Sequence, residues 1–176
     1  MSIYVNSCIA LNDYSNNPCG TKEMGRVRAL AFVKKTSTIA DPTDDADWEA
    51  LVTSGNCILI PRVRGTYDGG VDVESAGFSD EATEFTGKNH QIQYFDPNFN
   101  ENNRDFYNEL RKASKDFKVW FVTETKLWEV ETTPMISAKT PVTENVTDQI
   151  TFDVMVKWAD DNLPLIYTKP ATFFGN

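Results

Sequence analysis

Residues 150–158, ITFDVMVKW, alternate between apolar and polar positions. Ile150, Phe152, Val154, Val156 and Trp158 share one face, and Thr151, Asp153, Met155 and Lys157 share the other. Successive side chains of an extended chain point to opposite sides, so this alternation predicts a half-buried strand. Shorter runs predict further strands: RVRALAFVKK (26–35), CILIPRVRGTY (57–67), HQIQYF (90–95), FKVWFVT (117–123), KLWEVE (126–131) and MISAK (135–139). FKVWFVT is apolar on both faces, with Phe117, Val119 and Phe121 set against Trp120 and Val122. A strand of that kind needs a covering layer on each side.

Two stretches carry helical periodicity instead. In DPNFNENNRDFYNELRKAS (96–114), at 100° per residue, Phe99, Phe106, Leu110 and Ala113 fall in one sector. Glu101, Asp105 and Glu109 fall beside them, and Arg104, Arg111 and Lys115 fall opposite. Asn98, with Glu101 three residues on, is an Asn variant of the capping box. The signs on the outer faces are therefore sorted, which suits either a solvated surface or a charge-complementary contact between identical subunits. TDDADWEALVTSG (43–55) predicts a shorter helix with Thr43 or Asp44 as cap and Trp48, Leu51 and Val52 on its buried face.

The remaining chain is polar or turn-rich. NDYSNNPCG (12–20) marks residues 1–25 as an N-terminal arm. Gly65 to Gly87 holds five of the nine glycines and predicts a long loop. Residues 159–176 contain two prolines and end on Phe173 and Phe174, which predicts a C-terminal arm. Strands that do not alternate one for one with helices indicate a mainly β (α+β) single domain over 1–176. The expected fold is an antiparallel β-sandwich or barrel with one flanking amphipathic helix and a second short helix.

Composition narrows the function classes. The chain has 176 residues with 40% apolar and 12% aromatic, enough for a packed core. Lys and Arg number 17 against 26 Asp and Glu, a formal charge of −9. That excess of acid argues against nucleic-acid binding as the main purpose. Cys8, Cys19 and Cys57 are odd in number and irregularly spaced, unlike a secreted disulfide scaffold. The N-terminus lacks the basic and apolar regions of a signal peptide, and no run approaches the ~18 apolar residues of a membrane span.

Sites of chemistry were sought and not found. His90 is the only histidine and lies on the strand face of Ile92 and Tyr94, which favours a hydrogen-bonded structural role over a general base. Cys8, Cys19, Cys57 and His90 lack the close ligand pairs of a zinc site. DPTDDAD (41–47) reads as a helix start and lacks the glycine and glutamate of a calcium loop. TGKN (86–89) lacks the rest of a phosphate loop. Glu129 and Glu131 read as a solvated pair. No catalytic, cofactor-binding or metal residue is expected.

GKNHQIQYFDPNFNENNRDFYNELRKAS (87–114), KVWFVTETKLWEVE (118–131) and VKWADDNLP (156–164) together resemble small virion structural proteins of tailed phages infecting Bacteroidetes, crAss-like phages included. These are ring or tail-tube-like components. The resemblance spans roughly residues 58 to 168. It implies a β-sandwich or barrel with a flanking helix, and identical subunits pairing their sheets into a ring. Neighbouring tail or connector proteins would be further partners. DNA would pass an acidic lumen without specific binding. The resemblance carries no enzyme residues, cofactor or membrane role, and implies synthesis in the host bacterial cytoplasm and residence in the virion. Arg104, Arg111, Lys115, Phe173 and Phe174 are the candidate subunit interface. A monomeric β-sandwich binding carbohydrate or peptide through Trp and Tyr is the alternative, and a small hydrolase using His90 is a third reading.

Overall fold

A computed structural model describes residues 25–76, 83–145 and 147–175. All but the last residue of the expected N-terminal arm, 1–25, lies outside them. The elements in order are β1 (Ala29–Lys34), α1 (Asp45–Thr53), β2 (Cys57–Ile60), β3 (Arg64–Tyr67), β4 (Val71–Ala76) and β5 (Thr83–Asp96). Then come α2 (Glu101–Lys112), a 3-10 turn (Ser114–Asp116), β6 (Phe117–Val122), β7 (Lys126–Val130), β8 (Met135–Lys139), β9 (Phe152–Asp160) and β10 (Leu165–Thr168).

The strands form two antiparallel sheets, a β-sandwich with few helices. Sheet A runs β3-β5-β9-β8, with β4 also on β5, and sheet B runs β10-β7-β6-β1-β2. The period-two pattern of β9 decides its orientation: Phe152, Val154, Val156 and Trp158 are buried against sheet B. Ile92 and Tyr94 from β5, Leu30 and Phe32 from β1, and Val119 and Phe121 from β6 complete this core. α2 packs beside β8 and sends Tyr107 and Leu110 into the same core. The Tyr107 hydroxyl, buried there, donates to Asp96 Oδ2 at 2.7 Å, which satisfies a polar group that would otherwise be costly.

A second core lies on the other face of sheet B. Ala29, Ala31 and Val33 of β1 and Trp120 and Val122 of β6 meet Trp48 of α1 and Phe174 of the tail. The FKVWFVT strand is thus covered on one side by sheet A, with Tyr107 and Leu110 of α2 in the same core, and on the other by α1 and the tail. Trp48 is fully buried and its indole N–H donates to the Pro42 carbonyl at 2.9 Å. Asp44 caps α1 by accepting from the Ala46 N–H.

Three expectations need correction. Residues 65–87 are not a long loop, because β4 and the start of β5 pair from Val71↔Asn89 to Ala76↔Thr83. Backbone hydrogen bonding, which hydropathy does not record, holds them. β3 and β4 lie end to end along one side of β5, joined through Gly69 and Gly70 at φ +80° and +84°, angles that favour glycine. β9 reaches only Lys88↔Asp160, so the outer part of β4–β5 is a two-stranded ribbon projecting past the sheet. Residues 159–176 are not an arm: β10 pairs with β7, and Phe174 is 6% exposed in the second core. Asn100, not Asn98, caps α2, accepting from the Asn103 N–H at 2.8 Å; the Asn98 carbonyl instead takes the Asn103 side-chain amide.

Candidate functional site

His90 sits where β3, β4, β5 and β9 meet. Its Nδ1 shares a 2.8 Å hydrogen bond with the Tyr67 hydroxyl, and its ring stacks on Trp158 at 5.1 Å with the planes 5° apart. Nε2 is sealed from solvent and has no hydrogen-bond partner. A general base must reach the proton it removes, and a sealed nitrogen does not. Here the imidazole acts as a flat, polar-edged core residue that fixes Tyr67.

The two sheets are covered unequally. The inner strands of sheet B, β7, β6 and β1, are covered on both faces, while its edge strands β10 and β2 leave Leu165, Ile166 and Ile58 exposed. On the outer face of sheet A the alternate residues point to solvent: Val71 is 60% exposed, Met135 71% and Phe95 43%. Gln91, Gln93, Met155 and Lys157 fill the middle of that face, with Asp153 buried between Gln93 Nε2 at 2.9 Å and Lys139 at 3.1 Å. A four-strand face carrying large apolar side chains in the open marks a surface suited to a partner.

The five predicted interface residues fall apart into two groups. Arg104, Arg111 and Lys115 are exposed. Arg104 pairs with its own neighbour Asp105 at 2.9 Å, while no acid among the described residues pairs with Arg111 or Lys115. Phe174 is buried and Phe173 half-buried, both packed on Trp48 with centroids 5.0 and 5.4 Å away. The physical reason is the apolar outer face of sheet B, which α1 alone leaves partly open.

Other sequence candidates resolve locally. Asp45 of the acidic cluster accepts the backbone N–H groups of Thr172 and Phe173, tying down the tail. Burial works against its charge, but those N–H donors prevail and hold its carboxyl below the usual range. Glu129 is not solvated as expected. It is nearly buried, 3.4 Å from Lys118 Nζ and accepting from the Tyr167 hydroxyl at 3.1 Å, because β10 and the loop before α1 close over that part of sheet B. Cys57 is buried, and desolvation pushes its thiol up to about 12. Cys8 and Cys19 lie outside the described residues, and TGKN is part of β5. Among the described residues no group of three His, Cys, Asp or Glu is placed to hold a metal ion, and no helix is long and apolar enough to cross a membrane.

Two cavities open at the β3 end of the sandwich. One, about 910 Å³, is lined by Tyr67, Phe95, Phe121 and Trp128. Its neighbour, about 810 Å³, is lined by cations, a cluster split across the sequence and missed by reading along the chain. No known protein family, no curated protein and no solved structure matches this chain.

Proposed function

We propose that the chain is a non-enzymatic structural subunit that assembles with copies of itself, as a ring or tail-tube component of a tailed-phage virion. The observation that carries this reading is the unequal cover of the two sheets. A monomer gains nothing from leaving Val71, Phe95 and Met135 in water across the whole outer face of sheet A, while only the edge strands of sheet B show apolar side chains.

The strand directions also favour it. β4 and β8 stand at opposite sides of sheet A and run in opposite directions, because β5 and β9 intervene and every pairing is antiparallel. A β4 of one copy beside the β8 of the next would continue the antiparallel pattern with both copies facing the same way. Head-to-tail contacts of that kind close into rings. α2 lies beside β8, so Arg111 and Lys115 would flank the joint. Assembly into a virion tube past which DNA moves is the specific form that the sequence resemblance adds.

Light scattering coupled to size-exclusion chromatography, with electron micrographs of concentrated protein, tests the reading. Rings or tubes are expected. A strict monomer at all concentrations would sink it in favour of the second reading, a monomeric binding module, for which the aromatic cavity of Tyr67, Phe121 and Trp128 speaks.

A further inference from the structure

Four cations converge on the second cavity. Arg26 and Arg28 precede β1, Arg62 lies between β2 and β3, and Lys169 follows β10. Asn98, Thr172 and Phe173 also line it, and among the described residues no Asp or Glu does. In a chain of 17 basic against 26 acidic residues, four cations on one acid-free cleft is a concentration of opposite sign to the whole.

Their internal partners leave most of that charge uncompensated. Arg28 meets Glu124 at 3.2 Å on the surface. Arg26 donates to the Val63 carbonyl at 3.4 Å and Lys169 to the Gly175 carbonyl at 3.0 Å, neither of which carries charge. Arg62 has no ion-pair or side-chain hydrogen-bond partner among the described residues. It is also the one non-glycine residue with positive φ among them, at +60°, directly after Pro61. Proline followed by positive φ is the type II turn pattern, in which glycine is usual. An arginine there strains the backbone where glycine would not.

We propose that this cleft binds a compact ligand bearing two or more phosphate groups. Guanidinium forks match phosphate oxygens in pairs, and three of the four cations are arginines. One phosphate carries roughly −1.5 to −2 charges, so two balance four cations less Glu124. The volume lies in the range of small-molecule sites, and cations lining a concave wall focus potential. A nucleic-acid strand needs a continuous basic track, whereas the chain as a whole carries 26 acidic against 17 basic residues. The assignment is independent of the assembly reading.

Calorimetric titration of the full chain with inorganic pyrophosphate and triphosphate at low salt tests it. Saturation at one ligand per chain is expected, with Arg62→Gly and Lys169→Gln each weakening it about tenfold. Lys112→Gln, on the exposed helix, should bind as the parent does. Thermal denaturation keeps the result interpretable: Arg62→Gly should melt no lower than the parent, because the strain is relieved. No saturable heat with triphosphate would overturn the proposal, as would equal weakening by Lys112→Gln. A single-stranded oligonucleotide that bound tighter than triphosphate, with the same dependence on Arg62, would overturn it in favour of a strand-binding surface.

Discussion

Gly70 and His90 are in contact so close that no other residue fits at position 70. A Cβ built on Gly70 would stand 2.5 Å from His90 Cε1 and 2.7 Å from Nδ1, and the backbone there has φ +84°. The glycine joins β3 to β4 and at the same time lids the imidazole.

Gly70→Ala is therefore expected to destabilise by ~2–4 kcal/mol, combining left-handed backbone strain with a clash against a ring that Trp158 holds from the other side. Gly69→Ala, with nothing within 4 Å of its Cβ, should cost less, close to the backbone term alone. Urea melts of the two variants check this. Equal losses would mean that the His90 contact contributes nothing.

Phe174→Ala should cost the isolated subunit ~3–5 kcal/mol, the usual range for removing a buried aromatic ring. Trp48→Ala should fall in the same range, and the double variant should lose less than the two combined, since the rings touch at 5.0 Å. An arm reserved for neighbouring subunits predicts instead that Phe174→Ala leaves the monomer's denaturation midpoint unchanged.

Stability should fall in alkali. Burial pushes the Cys57 thiol up to about 12; burial first and the Asp68 charge second push the Tyr67 phenol up to about 12. Above about pH 8.5 the unfolded chain loses these protons while the folded chain keeps them, so the unfolded state binds fewer and stability declines with pH. The contribution is complete below the unfolded values and is lost as pH rises toward 12. Cys57→Ala and Tyr67→Phe should each flatten the decline when urea midpoints are compared across that window. A parent with level stability up to pH 11 would contradict the assignment.

Arg111→Glu combined with Lys115→Glu should weaken self-association and reduce its salt dependence, while the fold changes little. Both side chains are exposed near the C-terminal end of α2, where cations favour the helix dipole, so about 1 kcal/mol of subunit stability is the expected loss. Sedimentation velocity at two salt concentrations reads the association directly. Identical profiles for parent and variant would remove α2 from the interface.

Much of the sandwich was legible because its strands obey one-sided burial. Phe152 to Trp158 alternate as a half-buried strand must, and the two-faced β6 announced a layer on each side. The β4–β5 ribbon was not legible, since Val71 to Ser75 of β4 are exposed on both faces and only backbone pairing makes that segment a strand. The tail misled for the opposite reason. Phe173 and Phe174 follow a proline in a short polar stretch, and the partner that buries them, Trp48, is far away in sequence. Arg104 and Arg111 were placed correctly on the exposed face of α2, because 100° spacing alone decides that, whereas Lys115, also exposed, falls in the 3-10 turn beyond the helix end. The four cations of the cleft come from three separate segments, so no window of sequence contains them.

β1 lies inside sheet B between β6 and β2, sealed by sheet A on one side and by α1 and the tail on the other. Its β2 neighbour arrives after a short excursion, but its pairing with β6, from Ala29↔Val122 to Lys34↔Phe117, closes loops on the order of ninety residues. Loops of that size form slowly, so a growing or refolding chain must hold Ala29 to Val33 with both apolar faces unprotected until β6 arrives. The strand that is safest in the finished molecule is the most hazardous one on the way there. The time it spends waiting, rather than the stability of the final sandwich, sets how readily this protein aggregates at high concentration.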